Sequence, residues 1–444
     1  MTFRTAAFFF TTLLLAPSAF AEDRAPLTPE VDDPMLAPAK GPARTVASWQ
    51  EAISFLKARS IDLRSSLLEI TRAEARTRTA LAGALPTLNG SATLTHQFLT
   101  NTTPVELPIP NTATGVIQLV QPLFAPRVWY AIGTAEHAED VSRFTVSDIK
   151  RKALLGVANS IVGVVTAERV AELNRVGLRN SLERLELTKK RAALGGAMGL
   201  DIVRAAQDVA AARATLIDGD ESLRQSREAL GLALGLPEQV GVPPNLAIDG
   251  LEKEALALCK PNSSLDQRPD IASARQQITV AKRNVDDARY AFSPTITAQS
   301  TAATTSVDTF PSPRTTWNIQ GILSVPFWDG GARYGNLRDA PARYDQANLQ
   351  LEGLKRSVQI EIVQAERSQH VAANKRAVIE EARNLSAQSD ALTRAAYQEG
   401  RGTSLELVVA AAQLRQAEIN LALADFQLVR ARLSALLTRA TCNY

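Results

Sequence analysis

The chain of 444 residues is 45% hydrophobic and 21% charged, which is typical of a folded protein and excludes a largely disordered one. Its 49 basic residues nearly balance 46 acidic residues, and the net charge of +3 gives no reason to expect a nucleic-acid partner. Aromatic residues make up only 5%, while alanine, leucine, glutamine and arginine are abundant along the chain, which favours long helices.

Residues 1–21 have the pattern of a signal peptide. Arg4 supplies a positive charge, residues 6–15 form a short apolar stretch, and residues 19–21 fit a small-x-small cleavage site. A spanning helix needs about 20 apolar residues, so this stretch is too short for a membrane anchor. We expect an exported protein in which residues 22–44 form a flexible segment. No cysteine follows the cleavage site directly, so we expect that the protein is not a lipoprotein.

The chain contains one internal duplication with a period of about 205 residues. Three motifs recur in the same order at nearly one spacing, which indicates two copies of a structural unit and not a solenoid. The matched pairs are 84–88 with 292–296, 121–124 with 325–328, and 200–203 with 405–408. The duplication divides the mature chain into a first repeat (45–250), a linker in the equatorial region (251–266), a second repeat (267–438) and a C-terminal tail (439–444).

Each repeat has the same order of predicted elements: a helix, two strands around a proline-rich loop, a very long helix and a returning helix. The predicted helices are 48–84, 126–193 and 200–235, then 268–291, 332–398 and 405–438. At 1.5 Å per residue, the helix 126–193 is a rod of roughly 100 Å. The helices 48–84 and 200–235 together match that length, so we expect two shorter helices stacked along each long one. Such lengths are typical of coiled coils and related assemblies.

The returning helix 405–438 carries two apolar stripes. One has heptad spacing and is rich in alanine: Leu414, Ala417, Leu421, Ala424, Leu428, Ala431 and Ala435. The other contains Ile419, Leu423, Phe426, Leu433 and Leu437. Two stripes allow contact with a neighbour on each side, as in a closed cylinder of helices, whereas a single broad apolar face would indicate a bundle. The small residues favour the cylinder because they allow close approach.

Four segments alternate with the period of a β-strand: 88–99, 114–124, 294–303 and 315–327. One side of each is apolar, and the other carries small uncharged polar residues. This alternation fits a soluble sandwich as well as a membrane barrel with a water-filled lumen. No stretch after the signal peptide is long enough to span a bilayer as a helix, the best candidate being 153–165.

The connections between the strands favour the barrel. Prolines occur in the hairpin loops 100–113 and 304–314. We expect aromatic side chains at the membrane interface, namely Phe124, Trp129, Trp317, Phe327 and Trp328. Four strands cannot close a barrel, the smallest of which have about eight strands, and an open edge in lipid is forbidden. The chain must therefore oligomerise, and three copies would supply about 12 strands (3 × 4).

Several motifs follow one another in a fixed order: Arg268-Pro269-Asp270-Ile271, Phe292-Ser293-Pro294, the run VPFWDGG at 325–331, and Tyr397-Gln398-Glu399-Gly400 before TSLEL at 403–407. In this order they resemble the TolC family of outer-membrane efflux proteins, over about 45–438. The resemblance implies the exit duct of a tripartite efflux pump or of a type I secretion system. Such a duct conducts passively, with energy supplied by an inner-membrane partner.

The resemblance also implies a fold and a set of partners. The fold is a mixed α and β membrane protein, in which a trimeric 12-stranded β-barrel, four strands per chain, is continued by a 12-helix α-barrel of long coiled-coil helices. The implied partners are two further copies, a periplasmic adaptor, an inner-membrane pump and outer-membrane lipid. The Arg-Pro-Asp-Ile run favours a pump of the resistance-nodulation-division type. No cofactor is expected.

The resemblance places adaptor docking at the two helix tips, 194–200 and 400–404. The expected docking residues are Leu194, Gly195, Gly196, Gly199, Gly400, Gly402, Thr403 and Ser404. A sharp helical hairpin needs a residue with positive φ, so these glycines also have a purely structural explanation.

The same resemblance suggests a periplasmic gate of Glu406, Asp201, Tyr397 and Arg401. Glu406 matches the first acidic position of the family, whereas Val409 stands at the second. Three Glu406 carboxylates around a threefold axis would form a cation-binding ring. A favourable charge at a helix N-terminus is the alternative for Glu406 and for Asp201. Tyr397 matches a latch tyrosine, and Arg401 lies one place from the expected partner arginine.

The sequence gives no indication of an enzyme. His96, His137 and His370 are far apart and lack metal-ligand spacing, and no nucleotide-binding loop or nucleophilic triad is present. Two alternatives to a duct are a periplasmic adaptor and a structural coiled-coil envelope protein. The duplicated plan of strands and long helices argues against the first, and the alternating strands argue against the second. Cys259 and Cys442 are either a disulfide or two free thiols, because export permits both.

Overall fold

The computed structural model describes residues 31–98, 111–243, 248–262, 264–307 and 313–442. The signal peptide 1–21 and most of the loop 100–113 lie outside these residues. The first repeat contains α1 (Trp49–Arg59), α2 (Ile61–Ala82), β2 (Thr87–His96), β3 (Asn111–Phe124), α3 (Pro126–Ala193) and α4 (Gly199–Ala233). The second contains α6 (Pro269–Tyr290), β6 (Thr295–Thr305), β7 (Thr315–Ser324), α7 (Ala332–Gln398) and α8 (Ser404–Thr438).

Short elements lie before, between and after the repeats. They are β1 (Arg44–Thr45), β4 (Val240–Gly241), α5 (Ile248–Leu258), β5 (Cys259–Pro261) and β8 (Ala440–Cys442), with 3-10 turns at Pro34–Leu36 and Leu265–Gln267. β1 pairs with β4 in parallel, and β5 pairs with β8 antiparallel. These pairs surround the middle of the long helices, and we call this level the equator.

The sheet contains four antiparallel strands in the order β2-β3-β6-β7. Its register aligns polar residues in a row across all four strands: Asn89, Gln118, Thr301 and Asn318. The neighbouring row on the other face is Leu88, Leu119, Ser300 and Ile319. The predicted separation of polar and apolar faces is therefore confirmed, and both faces of edge strands β2 and β7 are exposed in the single chain.

The long helices organise the rest of the chain. α3 packs against α2 and α4, and α7 packs against α6 and α8, so two shorter helices line each long one as predicted. α3 and α7 have 68 and 67 residues, or about 100 Å of helix. Proline at the first position fixes the starts of α3 and α6, where a missing N–H costs no hydrogen bond.

The predicted helix 48–84 is wrong in one respect, because it is two helices separated at Ser60. The Ser60 hydroxyl accepts a hydrogen bond from the Leu63 N–H at 3.3 Å, and the Ser60 N–H donates to the Leu56 carbonyl at 3.1 Å. One serine thus ends α1 and caps α2. Gly235, which has φ of +74°, lies directly against the backbone of Arg59 and Ser60 at this break. The end of α4 therefore meets the start of α2.

The main core lies at the equator. It contains Trp49, Leu56, Leu63, Leu154, Ile161, Leu230, Leu234, Leu433, Leu437, Cys259 and Cys442. An 18-residue stretch of α3 has the length and composition to cross a membrane, contrary to the expectation that no such stretch follows the signal peptide. Since 44% of that stretch is buried within the chain, its apolar character is explained in part by this core.

The segments outside the repeats are more structured than predicted. Residues 31–44, expected to be flexible, lie along α3 and α4, where arginines of both helices bind them. The linker 251–266 contains most of α5 and all of β5. Residues 440–442 of the predicted tail form β8, and Cys442 forms a disulfide with Cys259. The sequence analysis left open whether these cysteines form a disulfide or are two free thiols, and they form a disulfide.

Candidate functional site

The end of the helical part farthest from the sheet consists of two tips with the same backbone geometry. α3 ends in a Schellman motif, in which Gly195 has φ of +78° and the Gly196 N–H donates to the Arg191 carbonyl at 2.9 Å. α7 ends in the same motif, with Gly400 at +79° and the Arg401 N–H donating to the Ala396 carbonyl at 2.9 Å. The two repeats therefore share even the individual hydrogen bond that ends each long helix.

The other tip glycines have different explanations. A Cβ on Gly402 would come within 3.0 Å of the Tyr397 nitrogen, so close packing limits this position. Gly196 and Gly199 have ordinary φ, and a Cβ on either would meet no atom closer than 3.6 Å. Only Gly195 and Gly400 are therefore required at the tips for a positive φ.

The acidic residues expected in the gate cap the returning helices. Glu406 forms a capping box with Thr403: its carboxylate accepts from the Thr403 N–H at 2.9 Å, and the Glu406 N–H donates to the Thr403 hydroxyl at 3.3 Å. Asp201 accepts from the Met198 N–H at 3.0 Å in the equivalent position of the first repeat. The Thr403 backbone N–H lowers the pKa of Glu406. The Ser404 hydroxyl, followed by the Met198 N–H, lowers the pKa of Asp201.

Two contacts join the tips of the two repeats. The Ser404 hydroxyl donates to the Asp201 carboxylate in a short hydrogen bond. The Arg191 guanidinium lies 4.2 Å from the centre of the Tyr397 ring and donates to the Tyr397 carbonyl at 3.1 Å. Each contact connects the first hairpin to the second within one chain.

Arg401 does not take the position expected for a latch. Its side chain is 81% exposed and pairs with Glu399 at 3.2 Å, whereas Arg191 occupies the face of Tyr397. The sequence analysis missed Arg191 because it lies some two hundred residues from Tyr397 in the chain. Arg191 lies in the last turn of α3, and the duplication aligns it with Ala396, the residue before Tyr397. That alignment could have predicted that Arg191 and Tyr397 lie at the same level of the two tips.

The tips also expose several large apolar side chains. Leu194 is 88% exposed, and Met198, Leu200, Val203, Leu405 and Val409 are also exposed. Exposed apolar residues clustered at one end of a molecule are typical of an interaction surface. Thr403 and Ser404 lie in the same region, where they cap α8 and bind Asp201.

The aromatic residues expected at the membrane interface lie at both ends of the sheet. Phe124 and Trp129 form an edge-to-face pair, 5.9 Å apart, where β3 passes into α3. Phe327 and Trp328 are exposed at the equivalent passage from β7 to α7. Trp317 lies near the opposite end of β7, and its indole N–H donates to the Ser300 hydroxyl at 2.9 Å. The assignment of these residues to a membrane interface stays a prediction.

α7 carries an apolar stripe that the chain itself leaves exposed. Its residues are spaced by 11 and then by 7 positions: Leu349, Ile360, Val371, Val378, Leu385 and Leu392, each between 57% and 73% exposed. A regular stripe of this kind is typical of a helix that packs against another helix. We call these six residues the α7 stripe.

Among the described residues, no group of His, Cys, Asp and Glu is arranged to hold a metal ion. The site therefore consists of two capped tips, their cross-contacts and exposed apolar surfaces. With the two-faced sheet and the long helices, these features define a class of protein: an elongated membrane-channel subunit with exposed apolar surfaces.

Comparison with known proteins identifies the family. The model of the outer membrane efflux protein family matches residues 52–236 and 261–439. The outer membrane protein OprJ of Pseudomonas aeruginosa is 26% identical over 359 residues, which are 76% of this chain and 72% of OprJ. The pyoverdine export outer membrane protein OpmQ of the same species is 24% identical over 353 residues, covering 75% of this chain and 73% of OpmQ.

A solved structure shares the fold. The Campylobacter jejuni CmeC outer membrane channel superposes with a TM-score of 0.77 at 15% identity, covering 93% of this chain and 94% of CmeC. The chain belongs to the outer membrane efflux protein family, and the resemblance drawn from its motifs is confirmed. Its role is that of an outer-membrane exit duct.

Proposed function

We propose that three copies of the chain form one continuous duct that crosses the outer membrane and extends into the periplasm. Twelve strands, four from each copy (3 × 4), would close a barrel. Twelve helical rows would continue it, since each long helix with its two partners provides two rows per repeat. The duct conducts passively, and the substrate moves with energy supplied at the inner membrane.

The main support for this proposal is the two unpaired edges of the four-stranded sheet. β2 and β7 are its outer strands, and each pairs on one side only within the described residues. An unpaired edge leaves backbone N–H and C=O groups without partners, which lipid does not tolerate. β7 of one copy pairing with β2 of the next would satisfy both edges and repeat around a closed ring.

The α7 stripe supports the same arrangement in the helical part. Its six residues, spread over more than 40 positions of α7, are exposed in the single chain. A neighbouring helix row would bury them along about 65 Å, at 1.5 Å per residue. Lateral contact with the first repeat of another copy supplies such a row, and three contacts of this kind close the cylinder.

The tips are proposed to dock a periplasmic adaptor that connects the duct to an inner-membrane pump. Exposed Leu194 and Met198 support an apolar contact there. The motif beginning at Arg268 favours a pump of the resistance-nodulation-division type over a type I secretion system. Among the relatives, the name of OpmQ refers to pyoverdine export, and we assign no substrate to this chain.

The gate is proposed at the same end of the duct. Glu406 of each copy would lie near the threefold axis and favour cations through its charge. Asp201 and Ser404, together with Arg191 and Tyr397, would hold the two hairpins of each copy together in the closed state. In this proposal, Arg191 takes the role that the sequence assigned to Arg401.

We also propose that the chain is exported by a signal peptide, residues 1–21, which is then cleaved. In this proposal the mature protein carries no lipid anchor. The aromatic residues at the two ends of the sheet support contact with outer-membrane lipid.

Reconstitution in planar lipid bilayers tests the proposed function. The purified full-length mature protein should give discrete conductance steps with a preference for cations. Bilayers that stay silent, including after removal of the Arg191–Tyr397 contact by Arg191→Ala, would contradict a conducting duct. Site-specific photocrosslinking from position 194 in the cell envelope should capture an adaptor, and a probe at exposed Asn384 on the side of α7 serves as the control.

A further inference from the structure

The one covalent crosslink of the described residues lies in the equatorial core. Cys259 is the first residue of β5, and the antiparallel register sets it directly opposite Cys442 of β8. Both residues are fully buried, among Ala255, Leu433 and other members of the same core. The chain has two cysteines in total, so this bond is the only one that can form within a single chain.

Several contacts hold the linker between the repeats against the rest of the equator. α5 packs against α8, and β5 pairs with β8. The Asn262 N–H donates to the Arg439 carbonyl at 2.9 Å, and the Asn262 amide donates to the Thr441 hydroxyl at 2.9 Å. α5 has 11 residues and β5 has 3, and elements this short are marginal on their own. The disulfide adds a covalent attachment of this linker to the C-terminal strand.

The bond encloses the whole second repeat. α6, β6, β7, α7 and α8 all lie between its two cysteines, so oxidation converts this repeat into a covalent ring. Closing a long loop removes much conformational freedom from the unfolded chain. The first repeat has no such closure, because it lies entirely before Cys259.

Burial determines when the bond can form. β8 packs against α3, and α5 packs against α8, so both sulfur atoms lie beneath helices of the two repeats once the equator is assembled. A protein oxidant cannot reach a fully buried thiol. The thiols must therefore react before the equatorial core closes, and closure of that core precedes assembly of the copies because it positions both long helices.

We propose that Cys259 and Cys442 are a substrate site for a periplasmic protein that oxidises dithiols, and that this oxidation is a required step before the copies assemble. The inference rests on the proposed function for export to the periplasm and for assembly of the copies. Exported chains meet such oxidants, whereas cytosolic thiols stay reduced.

The reaction is an ordinary thiol–disulfide exchange. The thiolate of one cysteine attacks the oxidant's disulfide and forms a mixed disulfide. The thiolate of the other cysteine then displaces the oxidant and forms the bond between Cys259 and Cys442. The chain loses two protons and two electrons, and the oxidant's disulfide becomes a dithiol.

The test compares cells that have the periplasmic dithiol oxidant with cells that lack it. Pulse-labelled chains are sampled over time, and the detergent-resistant oligomer is separated on unboiled gels. Each fraction is then denatured, and its free thiols are alkylated with a maleimide. Wild-type chain should lose most of its oligomer in cells without the oxidant and regain it when cystine is added to the medium. Chains with labelled thiols should be absent from the oligomer in both kinds of cell.

The variant Cys259→Ala with Cys442→Ala is the matched control, because alanine keeps the site small and apolar. Its oligomer yield should be as low as that of the wild-type chain without the oxidant, and it should be the same in both kinds of cell. A normal yield of oligomer from this variant would overturn the requirement for the bond. A yield that still falls without the oxidant would show an indirect effect and overturn the proposal. Wild-type oligomer that forms at the normal rate with both thiols free would overturn it as well.

The result is distinguishable from failure of the proposed function. If the bond forms but no oligomer appears in any cell, the trimeric duct is wrong and the need for oxidation before assembly falls with it, although oxidation by the periplasmic partner stands. If oligomers form and conduct with free thiols, the duct stands and the inference fails. A maleimide measurement on denatured wild-type chain needs no variant, so a folding defect in the double alanine chain does not weaken the test.

Discussion

The two repeats share one plan but bury their long helices differently. α3 has sixteen buried residues, distributed from Val146 to Thr188, whereas α7 has six. The first hairpin is covered by α2, α4 and the N-terminal segment, and the second exposes the α7 stripe. A single chain thus buries much of α3 and little of α7. The exposed α7 stripe is the surface that the proposed contact between copies would bury.

Two features contribute to this difference: α3 also packs against α6 and α8 of the second repeat, and the N-terminal segment covers the first hairpin. Residues 31–47, which we call the strap, lie in the groove between α3 and α4. Asp33 pairs with Arg213 at 2.6 Å, and Arg227 donates to the Lys40 carbonyl at 3.0 Å. These two arginines are 14 positions apart, or about 21 Å along α4. The strap therefore runs from the equator towards the tip of the first hairpin.

The second repeat lacks an equivalent strap within its described residues. The chain before α6 stays at the equator, where Asp266 pairs with Arg275 and, at 3.5 Å, with Lys355. The duplicated helices are therefore alike in sequence pattern but differ in what covers them.

The largest expected effect comes from the α7 stripe. Val378→Glu combined with Leu385→Glu places two charges in the proposed contact between copies, where an uncompensated buried charge costs roughly 3–5 kcal/mol. The oligomer should be lost on unboiled gels while the single chain keeps its helical content by circular dichroism. Asn384→Asp, at an exposed polar position about 100° around the helix from Leu385, should leave the oligomer intact. Equal loss in both variants would contradict the assignment of the stripe.

A smaller effect is expected at the tips. Arg191→Ala removes the guanidinium from the Tyr397 ring and one hydrogen bond to its carbonyl, which together contribute roughly 1–2 kcal/mol. If this contact holds the tip closed, the ratio of open to closed channels in planar bilayers should rise about 5–30-fold. Arg401→Ala is the matched control and should have little effect, because its ion pair with Glu399 is exposed. The reverse order of effects would restore Arg401 as the latch.

Loss of the Asp33 contacts in the strap should lower the local stability of α4 by about 1 kcal/mol. Asp33→Ala removes the cap of the turn at Pro34 and the pairing with Arg213. Amide hydrogen exchange in α4 near Arg213 should then accelerate about fivefold. Asp32→Ala alters the exposed neighbouring carboxylate and should leave exchange unchanged. If both variants exchange at the wild-type rate, the strap does not stabilise the first hairpin.

The same carboxylate gives the strap a pH dependence. The Met35 N–H, and then the Arg213 side chain, lower the pKa of Asp33 below its usual value. A lowered folded-state pKa means that this stabilisation is complete above the usual aspartate range and is lost as pH falls through the folded value. Hydrogen exchange near Arg213 should therefore depend on Asp33 at neutral pH, and wild type and Asp33→Ala should converge below about pH 3.

The smallest effect on stability, and the sharpest on selectivity, is expected at Glu406. Glutamine keeps an oxygen for the capping box and removes the charge. Glu406→Gln should reduce cation preference without changing the yield of oligomer, because the cap is retained. Since its pKa is lowered by the Thr403 N–H, wild-type cation preference should persist at pH values where an ordinary glutamate is already protonated, and it should disappear at still lower pH. Unchanged selectivity in the glutamine variant would leave Glu406 as a helix cap alone.

Much of the fold could be predicted from sequence because its signals are local and repeated. The predicted limits of 126–193 and 332–398 coincide with α3 and α7, since both helices are long and end at glycine. The strand faces followed from alternation alone. The break at Ser60 was missed because serine is tolerated within helices, and its capping role depends on contact with the end of α4.

The features that the sequence analysis missed depend on contacts between residues that are far apart in the chain. The strap is rich in proline and aspartate, like a disordered segment, and is held by Arg175, Arg213 and Arg227, more than 130 positions away. The contact of Arg191 with Tyr397 and the disulfide also join residues far apart in the chain. No local pattern reports such pairs, because only the folded arrangement brings them together.

Native mass spectrometry of the protein extracted from the outer membrane in mild detergent tests the central proposal most directly. Three copies closing one duct predict a single species with three chain masses, which heating in detergent converts to one chain mass. A species of one chain mass in the native extract, with both sheet edges and the α7 stripe left uncovered, would contradict the trimeric duct.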